Sequence, residues 1–249
     1  MNDYVLRARD LGLAELGFAE HSPWMMGMDS HPLAPSHEEW RRLYEEVSAL
    51  AAKLKDTPDM PRIRIGVELD YTPNQESAAR AFLEKYQFDY VIGSVHALSN
   101  GLYPGAAHPQ DSPENQRQCY ADYFAQVDEM VHSGMVDIIG HVDLPKRDGG
   151  IPSTGYLDLM EETLKHIVER EIVVEINTSG KDRPAGEFYP SPAIIRRMVE
   201  LGVLITLGSD AHSPYDVGRY FDEAIETLKS AGAKEIIGFE KRRKFRIPL

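Results

Sequence analysis

Seven short apolar runs rich in β-branched residues recur along the chain, separated by stretches patterned for amphipathic helices: Leu16–Ala19, Ile63–Leu69, Tyr90–Val95, Ile138–Val142, Val173–Asn177, Leu204–Gly208 and Ile236–Phe239. This rhythm constrains the fold more than any other feature. Parallel strands need long crossovers, and strands apolar on both faces need covering helices, so the pattern predicts a parallel sheet wrapped by helices. An open doubly wound sheet and a closed barrel both satisfy it. No glycine-rich phosphate fingerprint follows a strand, which disfavours the dinucleotide-binding version. The length of 249 residues suits one α/β barrel, a fold that commonly takes about 250. Without a low-complexity linker or a short repeat, the chain reads as one domain over residues 1–249.

Helix starts are written locally. Ser36 with Glu39, and Thr72-Pro73 with Gln75, have the form of capping boxes. Ser112-Pro113, Ser191-Pro192 and Ser213-Pro214 repeat a Ser-then-Pro opening, and Gly202 follows Arg196–Leu201 where a left-handed residue ends a helix.

Composition narrows the class. A net charge of −13 excludes nucleic acid as partner, whose phosphates require a basic footprint. It also means that an anionic substrate must be met by cations or by clustered Arg and Lys. No run of about 18 apolar residues is present, so no membrane span is expected. The charged opening Met1–Asp10 does not suit a secretory signal, and the single cysteine, Cys119, fits a reducing compartment, so a cytoplasmic domain is expected.

The chemistry sits where the strands end. His21 follows Leu16–Ala19; Glu68 and Asp70, two apart, lie on one face of a strand; His96 and His141 follow Gly93-Ser94-Val95 and Ile138-Ile139-Gly140; Asp210 and His212 follow Leu204–Gly208. In parallel α/β folds these strand ends share one rim, so the groups should converge. A single His after a strand is usually an ordinary polar group; the repetition at five strand ends is what argues for a metal cluster. Imidazole with carboxylate suits Zn, Mn or Fe. Asp70 and Asp143 read as groups that orient ligands. His132 and His166, inside helical stretches, read as surface residues, and His31, His37 and His108 as loop residues. Arg183, and less so Lys146 and Arg147 after a strand end, read as candidate contacts for an anionic substrate, Arg183 because guanidinium pairs bidentately with anionic oxygens.

Phe18-Ala19-Glu20-His21-Ser22-Pro23, Gly66-Val67-Glu68-Leu69-Asp70, Gly93-Ser94-Val95-His96, Gly140-His141-Val142-Asp143 and Gly208-Ser209-Asp210-Ala211-His212 resemble successive motifs of the PHP (polymerase and histidinol phosphatase) superfamily. Three longer stretches resemble its stand-alone histidinol-phosphatase branch: Phe88–His96; Asn177–Gly180 with Arg183-Pro184 and Tyr189–Pro192; and Phe239–Arg243. The resemblance covers essentially the whole chain. It implies a distorted, TIM-like seven-stranded barrel with two or three divalent ions, and hydrolysis of a small phosphate monoester, above all L-histidinol phosphate in histidine biosynthesis. By motif, Glu68 would bridge two metals, His96 and His141 would complete one, Asp210 would bind the other, and His21 and His212 would help hold a third. Glu68, His96, His141 and Asp210 would then be catalytic through metal-activated water. The leaving-group acid is not identified.

One departure stands out. The family opens with a strand bearing His-x-His, whereas Met1–Leu13 reads as the helix that follows it. The expectation is therefore a barrel lacking its first strand, with the Asp210 metal deprived of two histidines. Either the sequence begins inside the domain, or the strand is deleted, or another segment or subunit supplies it. The exposed edge could then pair copies of the chain into a homo-oligomer. Three rivals remain: a related phosphoesterase for nucleotide or sugar phosphates; an amidohydrolase-type barrel, which the Asp210/His212 pair and Glu68 disfavour; and a catalytically impaired metal-binding remnant.

Overall fold

The computed structural model describes residues 1–25, 28–29, 34–99 and 107–249. Helix α1 (Asn2–Asp10) leads into strand β1 (Glu15–His21), and a small antiparallel pair, β2 (Trp24–Met25) and β3 (Met28–Asp29), follows. The chain then runs α2 (His37–Leu54), β4 (Arg62–Asp70), α3 (Glu76–Leu83), β5 (Tyr90–Ser94), α4 (Pro113–Ser133) and β6 (Ile138–Ile139). It continues through α5 (Leu157–Glu169), β7 (Val173–Asn177), α6 (Pro192–Leu201), β8 (Leu204–Gly208), α7 (Phe221–Ala231), β9 (Glu235–Glu240) and β10 (Arg243–Pro248).

Six strands form one parallel sheet in the order β1-β4-β5-β6-β7-β8, curled into a half-barrel. The expected alternation is present. The seventh run, Ile236–Phe239, departs from it: as β9 it pairs antiparallel with β10. Ile237 and Phe239 pack against Ile138, Val173 and Tyr90. Backbone N–H groups at the hairpin turn donate to Asp89, and Arg242 pairs with Asp137, each just before β5 or β6. The hairpin therefore floors the end of the half-barrel where the strands begin. Lys241 and Arg242 of the basic tract supply its turn.

Strand burial follows position. Every residue of interior strand β7 is buried, whereas edge strands β1 and β8 are mostly half-exposed. Helices from β4 to β8 cover the outer face, burying Phe82, Tyr120, Phe124, Leu164 and Ile195. Inside, the Tyr90 ring crosses Gly17 and Gly66; a β-carbon at either would stand 2.1 or 2.3 Å from the phenol. The glycines are thus required by close approach of an aromatic ring.

Local signals are honoured unevenly. Ser36 and Glu39 form the reciprocal capping box at α2, Ser112 caps α4 ahead of Pro113, and Gly202 takes a left-handed φ of +79°. The Thr72–Gln75 box does not form. That segment is a turn in which Gln75 N–H donates to the Thr72 carbonyl, and α3 begins at Glu76 without a side-chain cap. Ser191 precedes α6 but its side chain caps nothing, being hydrogen-bonded to Tyr156 instead. Ser213-Pro214 opens only a short 3-10 turn, Pro214–Asp216.

Candidate metal centre

Register fixes the first encounter. His21 and Glu68 are direct partners across the parallel β1–β4 pair. His96 and His141 each follow their strands by two residues and turn inward over the rim. Glu68 Oε1 lies 3.3 Å from His141 Nε2 and 3.5 Å from His96 Nε2; its Oε2 lies 3.5 Å from His21 Nδ1. One carboxylate therefore addresses three imidazoles, two through one oxygen and one through the other.

One imidazole is held at its ring, and the other two through their backbone. Buried Asp70 meets His96 Nδ1 at 2.9 Å, which leaves Nε2 for the centre. The Trp40 indole donates to the His21 carbonyl at 2.6 Å. Tyr123 donates to the His141 carbonyl, and the His141 N–H donates to Glu175 Oε2 at 3.2 Å. His141 and Asp210 both hold positive φ, +21° and +46°, a conformation that L-residues adopt at a cost and that concentrates at functional sites.

Electrostatics follow from the same contacts. Burial opposes ionisation of Glu68, but facing His21, His141 and His96 hold its pKa well below the usual carboxylate value. Burial likewise disfavours the charged form of His141, yet the Glu68 hydrogen bond and charge, with Asp210 and Glu175, raise its pKa to about 9. Glu175 is pushed up to about 7 by burial and by Asp210. These are the values of the protein alone; a divalent cation would displace the imidazole proton.

Donor atoms bound tetrahedrally at about 2.1 Å from one ion stand about 3.4 Å apart. The separations around Glu68 match that spacing. Buried His21 Nδ1 and His141 Nδ1 have no hydrogen-bond partner. His21, Glu68 and His96 thus form a cluster able to hold a divalent cation, with His141 beside it.

The remaining expected residues divide. Asp210 approaches Ser179 Oγ at 3.3 Å and His212 Nδ1 at 3.6 Å, while the His212 side chain is 77% exposed. Both lie just past β8, on an edge of the sheet. Arg183 is exposed and Arg147 half-buried. Burial and Asp143 raise the Tyr189 phenol's pKa, and Arg147 and Arg183 oppose them, so both guanidiniums lie near that ring, which itself lies beside His141. Lys146 departs from the expectation of a substrate contact. Its side chain is fully buried, with Nζ 3.0 Å from Asp143, 3.3 Å from Glu187 and 2.6 Å from the Phe188 carbonyl. Asp143 also departs: it accepts from Tyr156, Ser191 and Lys146 and braces that loop. His37 opens α2, His108 lies in a loop, and His31 lies outside the described residues.

Two residues were passed over in the sequence. Glu175 is a carboxylate inside the apolar run Val173–Ile176, a signal that could have been used. Tyr189 was marked only as part of the Tyr189–Pro192 motif, without a role; its buried hydroxyl has no hydrogen-bond partner and its ring lies 6.3 Å from that of His141.

A profile of the PHP domain matches residues 1–179. The chain belongs to the PHP family. Its PHP relatives include the probable histidinol-phosphatase of Deinococcus radiodurans, 32% identical over 238 residues, spanning 94% of this chain and 88% of the relative. The histidinol-phosphatase of Lactococcus lactis is 28% identical over 95% of this chain and 87% of its own. A crystal structure of the Lactococcus lactis histidinol phosphate phosphatase, in complex with zinc, L-histidinol and phosphate, superposes with a TM-score of 0.77 at 25% identity, covering 98% of this chain and 92% of that one. The Listeria monocytogenes putative histidinol phosphatase shares the fold, with a TM-score of 0.74 at 22% identity over 89% of this chain and 93% of that one. This PHP chain is thus a histidinol-phosphatase-like phosphoesterase homologue. Among its described residues no helix is long and apolar enough to cross a membrane.

Proposed function

We propose that this chain hydrolyses a small phosphate monoester, L-histidinol phosphate first among them, using divalent cations held by His21, Glu68, His96 and His141, with Asp210 and His212 completing the open side. The observation that carries this reading is the division of Glu68: Oε1 addresses His96 and His141 while Oε2 addresses His21. A carboxylate so placed suits two ions at once. When bound, such ions activate water and neutralise phosphate oxygens, which meets the difficulty that a −13 chain poses to an anionic substrate. The Lactococcus lactis complex, with zinc, L-histidinol and phosphate, supports this choice of metal and substrate.

The chain's own residues supply placement. Asp70 fixes the His96 ring through Nδ1, and Tyr123 and the Glu175 carboxylate fix the His141 backbone. Arg183 and Arg147, beside Tyr189, would take the outer phosphate oxygens.

The test is to load the full chain with Mn or Zn and measure phosphate release from L-histidinol phosphate against a panel of nucleotide and sugar phosphates. Turnover of another ester alone would move the specificity and keep the chemistry. Bound metal without turnover of any ester would favour the second reading, a metal-binding remnant. The 77% exposure of His212 at an open edge supports that rival. The β1 and β8 edges are also where a second copy would add; sedimentation of the metal-loaded chain checks it.

A further inference from the structure

Two histidines outside the centre meet each other. His132 lies one turn after Asp128 on α4, and His166 of α5 packs against it with ring centroids 4.8 Å apart at 78°. Asp128 stands between them: Oδ1 is 2.8 Å from His166 Nδ1 and Oδ2 is 3.5 Å from His132 Nδ1. We propose that Asp128, His132 and His166 form a second divalent-cation site, of the zinc class, that clips α4 to α5.

Each residue offers one donor atom, and the three donors fall within 4.8 Å of one another. His166 Nδ1 lies 2.8 Å from Asp128 Oδ1 and His132 Nδ1 2.8 Å from the Asp128 carbonyl, hydrogen bonds that a zinc ion would open toward the roughly 3.4 Å between neighbouring tetrahedral ligands. Glu162 Oε1, 3.8 Å from His166 Nε2, adds negative charge on the far side of that ring. The His132 side chain is 43% exposed, so water can complete the coordination. Imidazole pairs with a single carboxylate favour Zn, Ni or Cu over Mg or Ca.

Topology separates this site from the Glu68 centre. α4 ends where the chain turns into β6, and α5 ends where it turns into β7, so both helix ends lie beside strand beginnings. The Glu68 centre lies where strands end. A cation here would brace the helix layer without touching substrate.

The alternative is that these contacts are hydrogen bonds alone, His166 Nδ1 with Asp128 Oδ1 and His132 Nδ1 with the Asp128 carbonyl, and zinc stoichiometry separates the two. The full chain, stripped with chelator and desalted, is given a small excess of zinc chloride and passed through gel filtration, and zinc per chain is measured. The wild type should retain one zinc more than His132→Gln, His166→Gln and Asp128→Asn. Thermal melting of each zinc-free variant confirms folding. The result is a difference, so it stands whether or not the Glu68 centre fills; repeating it in a Glu68→Gln background isolates the second site. Equal zinc in the wild type and all three variants would overturn the proposal. Loss in His166→Gln with full retention in His132→Gln would overturn it equally.

Discussion

The two flanks of the PHP centre are built to different standards. On the β4–β6 flank, Glu68, His96 and His141 are at most 14% exposed at their side chains, and Asp70 behind them is 1% exposed. On the β8 flank, the Asp210 and His212 side chains are 33% and 77% exposed and lie at a sheet edge. Buried donors backed by second contacts are pre-positioned, because packing has already removed their rotamer freedom. Exposed donors must be ordered when a ligand arrives and lose that freedom then. One side of the candidate metal centre is thus pre-positioned by the fold.

Substitutions can break or sharpen this contrast. Glu68→Gln should have the largest effect, lowering metal content and phosphate release by more than the about 10–100-fold typical of outer partners; normal metal content in that variant would refute the central role of this carboxylate. In stability, Ile176→Ala in fully buried β7 should cost about 2–5 kcal/mol by denaturant titration, and Leu16→Ala on half-exposed β1 distinctly less. Equal losses would mean that edge and centre are packed alike. Asp70→Asn should lower activity by about 10–100-fold with the fold intact, by loosening His96.

The pH dependence comes next. His141 is raised to about 9 in the folded protein, so its contribution is whole below the unfolded value of 6.5 and is lost as pH rises through 9. The metal-stripped chain should therefore melt a few degrees lower at pH 9.5 than at pH 6.5, with the zinc-loaded chain much less sensitive. Glu175, raised to about 7, contributes in the same direction but lower, between 4.5 and 7. His212→Ala should have the smallest effect on activity, within a few-fold; a loss as large as that of Asp70→Asn would show that the open flank is ordered in the working enzyme.

Much of this was legible before the structure, for identifiable reasons. Strand–helix alternation and strand-end polar residues are consequences of a parallel sheet, so His21, Glu68, His96 and His141 could be placed on one rim from their positions alone. What could not be read depended on contacts between segments remote in sequence. Lys146 looks like a free cation beside a strand end until Glu187 and Phe188 close over it. Ile236–Phe239 has the apolar pattern of a sheet strand, and only Arg243–Pro248 following at once makes it a hairpin. His132 and His166 each carry the pattern of a solvated helix residue, and nothing local reveals that α4 and α5 bring them side by side.

The β9–β10 hairpin has a practical bearing on anyone handling this protein. Because Phe239 and Ile237 reach up to Ile138, Val173 and Tyr90 from below, the last strands act as a stopper in the base of a cup whose mouth holds the histidines. Trimming them would let water into the hollow from underneath, and the cluster at the mouth would be loosened by a cut made at the opposite pole of the molecule.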